Sequence, residues 1–172
     1  PNYNSTDGGA VPVITYTLID ERGASSTATI TLDVTAVNDA PVASADSFTI
    51  NEDTVLLFDP RLNDNDADGD ALTITAIDGQ AIVAGGSSVA VSNGSVSLTA
   101  AGLLEFTPDP NVNVTTVGIL TFDYTVDDGQ GAANSTATAT VSVRVLPLND
   151  APLAGDDTFT TAEDTAVTIG VG

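Results

Sequence analysis

The chain has 172 residues, with 24 aspartates and glutamates set against three arginines and a formal net charge of −21. It contains no lysine, histidine, cysteine, methionine or tryptophan, so disulfides, zinc sites built on Cys or His, Ser-His and Cys-His nucleophile pairs and lysine Schiff bases are all excluded. Nucleic acid is excluded as a partner on the same grounds, because phosphate is held by Lys and Arg; a chain this acidic seeks cations.

With 42% hydrophobic residues and a mean hydropathy of +0.19, the sequence is too apolar for an acidic disordered tail and is expected to fold. No apolar run approaches the roughly 18 residues that cross a bilayer, so membrane insertion is not expected. The sequence opens in the middle of a pattern and is expected to be a segment of a longer protein.

In chain order, Ile14-Thr15-Tyr16-Thr17 and Thr27-Ala28-Thr29-Ile30 form the first pair of alternating runs, and both return later, as Phe122-Asp123-Tyr124-Thr125 and Thr138-Ala139-Thr140-Val141. Val37-Asn38-Asp39-Ala40-Pro41-Val42-Ala43 returns after 111 residues as Leu148-Asn149-Asp150-Ala151-Pro152-Leu153-Ala154. Behind each copy come Asp-Ser/Thr-Phe-Thr (46–49, 157–160) and Glu-Asp-Thr (52–54, 163–165). Such duplication is the signature of a tandem array. It divides the chain into the C-terminal part of one repeat (1–38, ending in an F-G-like hairpin), a complete repeat (39–148) and the N-terminal part of a third (149–172, an A-B-like hairpin).

Inside the complete repeat, Thr or Ser alternates with Val, Ile or Ala, the period of half-buried strands. Strands are expected near 44–50, 54–58, 71–78, 89–92, 95–106, 119–126 and 136–146, with turns at Ser92-Asn93-Gly94-Ser95 and Asp127-Asp128-Gly129-Gln130-Gly131, and no apolar stripe is long enough for a helix. The expected fold is all-β: an antiparallel immunoglobulin-like sandwich repeated in tandem, its core built from Val, Ile and Leu with Phe48, Phe58, Phe106, Phe122 and Tyr124.

In an up-and-down count of those strands, the incoming linker, the 59–70 loop and the 127–131 turn share one pole. Asp39, Asp64, Asp66, Asp68, Asp70, Asp127 and Asp128 therefore gather there. Glu52, Asp53, Asp109 and Asp150 gather at the other, so each acidic set falls where consecutive repeats meet. Like charges about 6 Å apart repel by roughly 3 kcal/mol at an effective dielectric of 20, and Ca²⁺, which accepts six to eight oxygens from flexible loops, is the fitting counter-charge. Asp64 to Gly69 also opens like an EF-hand, but position 12 of that loop would be Thr75 in place of the bidentate glutamate, and a strand follows where a helix is needed.

Asn38-Asp39-Ala40-Pro41, Glu52-Asp53-Thr54, Asn63-Asp64 to Gly69-Asp70 and Phe122-Asp123-Tyr124-Thr125-Val126-Asp127-Asp128-Gly129 together resemble the cadherin-like, VCBS-type repeats of giant bacterial surface adhesins of the RTX type. The resemblance implies a cadherin-like module with calcium at its junctions and a parent protein exported by type I secretion to the cell surface. It matches Asp39 and Asp150 to the linker aspartates, Glu52 and Glu163 to the A-B glutamate, and Asp66 and Asp68 to the Asp-x-Asp of the B-C loop. The family ligates each junction from both modules, so the glutamate serving Asp39 belongs to the preceding repeat.

The expected function is a calcium-stiffened extender, partnered by the neighbouring repeats, that holds a distal binding domain out towards a glycan, host or biofilm surface. A calcium-dependent carbohydrate-binding or ligand-binding sandwich is the alternative, and catalysis is not expected. Asp127-Asp128-Gly129 also makes an ordinary turn, Asp109 reads as a proline-flanked turn, and the remaining scattered acids read as solvated. The Asn-x-Ser/Thr triplets at Asn4, Asn93, Asn113 and Asn134 carry no inference.

Overall fold

A β-strand forms where side chains that fill a pleated, half-buried face alternate with ones that tolerate water, and Thr-Val and Ser-Val alternation dominates this chain. The computed structural model describes residues 12–152, 154–158, 160–166 and 168; Asn4 and Phe159 lie outside them.

The first described element is a hairpin, β1 (Val13–Ile19) with β2 (Ser25–Thr31), and every residue in it is exposed. Its turn is closed by Asp20, whose Oδ1 accepts from the N–H groups of Arg22 and Ala24.

A sandwich follows, made of β3 (Asp46–Asn51), β4 (Leu56–Phe58), a 3-10 turn (Pro60–Asn63), β5 (Thr73–Ile77), β6 (Gln80–Ala81), β7 (Val89–Val91), β8 (Gly94–Leu98), β9 (Leu104–Pro108), α1 (Val114–Val117), β10 (Leu120–Asp127) and β11 (Thr136–Leu146). One sheet has the order β3-β11-β10-β5-β6 and the other β4-β9-β8-β7. They face each other across a core of Ile74, Ile77, Val96, Leu104, Phe106, Phe122, Tyr124, Val126, Val141 and Val143. Phe106 stacks on Phe122 with ring centroids 5.7 Å apart, which joins β9 to β10, and Phe48 meets Phe58 at 4.5 Å, which joins β3 to β4.

Several expectations are corrected. The single strand at 95–106 is two strands, because the chain reverses at 99–103. There Thr99 N–H donates to Leu103 O, Gly102 N–H to Thr99 O, and Gly102 takes a left-handed φ of +78°. β6 is a further strand, paired with β5 through the Asp78-Gly79 turn. The sandwich is not wholly antiparallel, since β3 runs parallel to β11. Among the described residues two short helical turns exist where no helix was expected. Among the described residues of 149–172 none lies in a strand.

Because β6 and the divided strand add two strands, an even number, the parity outside 80–103 is unchanged and the acid-bearing loops keep their poles. No helix among the described residues is long and apolar enough to cross a membrane.

Candidate metal centre

The incoming linker, the 59–72 loop and the 127–135 turn converge at one end of the sandwich. Linker and loop are tied by a two-residue bridge, Val42 N–H to Asn65 O at 2.7 Å and Asn65 N–H to Val42 O at 3.0 Å. Asn38 joins the linker to the turn: its Nδ2 donates to Asp128 Oδ2 at 3.0 Å, and its carbonyl accepts from Asn134 Nδ2 at 2.9 Å.

Asp64 roots the loop in the core. The hydroxyl of fully buried Tyr124 lies 2.9 and 3.1 Å from its two carboxylate oxygens and 3.0 Å from Ser44 O, and Ser44 N–H donates to Asp64 Oδ1 at 2.8 Å. Burial, and then the bond to Asp64, raise the Tyr124 pKa far above the ordinary tyrosine value, so the phenol stays a donor.

Asp66 organises what lies beyond. Its Oδ1 accepts from Asp68 N–H at 2.8 Å and Asp70 N–H at 3.2 Å, while Gly69 supplies the left-handed φ of +82° that lets the chain curl back. One carboxylate oxygen from each of Asp66, Asp68 and Asp70 lies within 4.8 Å of the others. Carboxylates at that spacing repel by about 0.9 kcal/mol per pair in water and about 3.5 at an effective dielectric of 20. Asp68 Oδ2 also accepts from Asp39 N–H at 2.7 Å, which puts the linker backbone against the cluster. Asp66 is only 9% exposed, and its Oδ2 is cut off from solvent without a hydrogen-bond partner. Buried polar atoms are almost always paired, and an orphaned oxygen on a member of an acidic cluster is the kind of group a cation satisfies.

Asp128 is 4% exposed but satisfied. Burial pulls its pKa up, whereas the bonds from Asn38, Gln130 N–H and Ser135 outweigh it and the net shift is down. Half-buried Asp127 holds its own turn through Gly129 N–H. The sequence-predicted residues Asp39, Asp64, Asp66, Asp68, Asp70, Asp127 and Asp128 are thus brought to one pole, although only Asp66, Asp68 and Asp70 form a mutual cluster.

At the opposite pole Glu52 is 4% exposed. It accepts from Asn113 Nδ2 at 2.9 Å and from Leu148 N–H in the outgoing linker. These bonds lower its pKa, the Asn113 amide most. Asn113 is also the N-cap of α1, its Oδ1 accepting from Thr115 N–H. Asp150 is exposed two residues further along the linker, and Glu163 is exposed in the 162–165 turn. Sequence reasoning missed Asn38, Asn113 and Tyr124 as the groups that hold these acids, and Asn134 as the group that holds Asn38. The available signal was Asn113 standing three residues before Thr116 ahead of a short Val-Thr-Thr-Val run, an N-cap pattern.

Fold and site define a class: an all-β sandwich module whose linker-side pole is a cluster of oxygen donors. The family model of the bacterial cadherin-like domain matches residues 38–145, and the chain belongs to that family. Among solved structures it is similar to human mucin-like protocadherin EC1-2, at 20% identity and a TM-score of 0.46 over 79% of this chain and 69% of that one. It is also similar to protocadherin gamma B7 domains 1-4, at 18% identity and 0.48 over 84% and 34%, and to protocadherin gamma C5 EC1-3, at 18% and 0.45 over 83% and 45%. The chain thus spans about a third of the gamma B7 fragment and under half of the gamma C5 one. No curated protein matches it.

Proposed function

We propose that the chain is a calcium-stiffened extender segment of a bacterial surface adhesin, exported by type I secretion, in which cations at the module junctions turn a hinged string of sandwiches into a strut. The observation that carries the reading is the gathering of Asp66, Asp68 and Asp70 carboxylates around a residue, Asp66, whose Oδ2 is buried and unpartnered, with the Asp39 N–H held on Asp68. Membership of a bacterial cadherin-like family, whose members typically bind calcium, supports it.

In this reading Asp66, Asp68 and Asp70 hold the ion with Asp39 of the linker, and Asp127 and Asp128 complete the wall of the pole. Asp64 stays pinned by Tyr124 as the root of the loop. Glu52, Asp150 and Glu163 belong to the next junction, where Glu52 already grips the linker at Leu148. When bound, the ion supplies positive charge and flexible oxygen coordination. The residues do the rest: Asp66 Oδ1 fixes the curl, Asp68 bridges loop and linker, and Asn38 with Asn134 keeps the linker on the 127–135 turn. Stiffness follows because the linker is held from two sides.

Calcium titration followed by melting and small-angle scattering tests the proposal. The expected result is a higher melting point together with a longer, less flexible particle. Identical melting and scattering in excess chelator and in 10 mM calcium would refute it.

A further inference from the structure

We propose that Arg61 is the positioning residue of the cation site, closing the base of the 59–72 loop so that its aspartates are already gathered before an ion arrives. The inference rests on the reading of Asp66, Asp68 and Asp70 given above. One guanidinium meets four oxygens from three places. Nε donates to Asp59 Oδ1 at 2.8 Å and an Nη to Asp59 Oδ2 at 3.0 Å, the two Nη atoms reach Leu72 O at 3.2 Å and Gly102 O at 3.0 Å, and the backbone adds Arg61 N–H to Asp59 Oδ1 and Asp64 N–H to Arg61 O.

Asp59 and Leu72 are the two ends of the loop, and the three clustered aspartates lie between them. Arg61 also shares a cleft of about 390 Å³ with Asp66 and Asp70. Gathering three carboxylates costs both loop-closure entropy and charge repulsion, and a loop closed beforehand spares binding that ordering cost. Lysine substitutes only in part, because only a planar fork can take a carboxylate side-on while also reaching two carbonyls.

The third anchor is built for the purpose. Gly102 takes a left-handed φ of +78°, which side chains rarely adopt, so glycine lets the turn present its carbonyl to the guanidinium. Asp59 neutralises the arginine, whose hydrogen bonds hold the Asp59 pKa below its usual value. The buckle therefore does not repel the ion it prepares for.

Positioning and charge predict opposite signs. A lone positive charge beside the cleft weakens cation binding, so deleting it would tighten calcium; removing a positioning group loosens it. Calorimetric calcium titration of the full chain, well below each variant's melting point, is expected to show R61Q binding about tenfold more weakly, as for other supporting residues of metal sites, with R61K between it and the wild type. Hydrogen exchange at the Asp68 and Asp70 amides is expected to quicken in calcium-free R61Q.

G102A leaves every charge in place and is the second variant should R61Q not fold; it too is expected to bind more weakly. A folded R61Q or G102A that binds as tightly as the wild type, or more tightly, overturns the inference and leaves the calcium reading standing. A wild type that takes up no calcium overturns both.

Discussion

The two poles of the sandwich bury carboxylates by opposite means. At the linker-exit pole Glu52 is nearly enclosed, yet both its oxygens meet neutral N–H donors, from Asn113 and Leu148. At the linker-entry pole Asp66 is nearly as enclosed, but one oxygen has no donor and its neighbours are acids. An anion satisfied by amides needs no counter-ion, whereas one left among other anions does. The entry pole is therefore expected to need calcium, and the Glu52 to Asn113 contact to hold without it.

The largest expected effect breaks the comparison at the entry pole. With a constant typical of extracellular calcium modules, about 10⁻⁴ M, 10 mM calcium is about a hundredfold excess and stabilises the folded state by roughly 2.7 kcal/mol per site. For one repeat this is about 10 °C in melting temperature. Asp66→Asn is expected to abolish that increment while lowering the calcium-free melting point little, since it also removes charge from a crowded cluster. Differential scanning calorimetry with and without chelator measures both.

Asn113→Ala sharpens the comparison from the other side. It deletes the amide that faces Glu52 and the cap of α1, at a cost of about 1 to 2 kcal/mol. Denaturation midpoints are expected to fall by the same amount in calcium and in chelator. A loss that calcium repairs would show that the exit pole, too, depends on the ion.

How far the sequence carried this contrast depends on how local each cause is. The hairpin registers are local. Tyr16 pairs with Ala28 in β1-β2 as Tyr124 pairs with Ala139 in β10-β11, and the repeat matched those residues beforehand. Burial is not local: Tyr16 is 43% exposed and Tyr124 fully buried, because only the second hairpin has a facing sheet.

The reversal at 99–103 hid because Ser95 to Thr99 alternates smoothly and Gly102 alone marks the turn. Gly94, read as part of a turn, instead lies in β8, where a Cβ would come within 2.6 Å of Thr107 O. The acids of both poles were legible through parity, since charge and loop position are properties of sequence. Their partners were not: Asn113 to Glu52 and Tyr124 to Asp64 are contacts between residues about 60 apart, and no local pattern announces them.

Acid offers a smaller test. The Glu52 pKa is lowered by Asn113 and Leu148, so its contribution to stability is fully present above the ordinary glutamate value and is lost as the pH falls through the lowered one. In chelator, Glu52→Gln is expected to flatten the acid limb of a melting-temperature profile below about pH 4.5. An unchanged acid limb would mean that the bonds to Asn113 and Leu148 do not favour the charged form.

Asp46 gives the smallest effect and the opposite sign. It sits at the start of β3, beside the root of the entry loop, and one of its oxygens is enclosed without a partner. Burial raises its pKa, and Asp64 raises it further. A carboxyl whose folded pKa is raised carries its cost above that pKa and sheds it as the pH falls through it. Asp46→Asn is therefore expected to stabilise the calcium-free chain slightly at neutral pH and to lose that advantage in acid, whereas Glu52→Gln is expected to cost stability at neutral pH and to shed that cost in acid. If both variants moved the profile in the same direction, enclosure alone, and not the donors around each carboxylate, would govern the two poles.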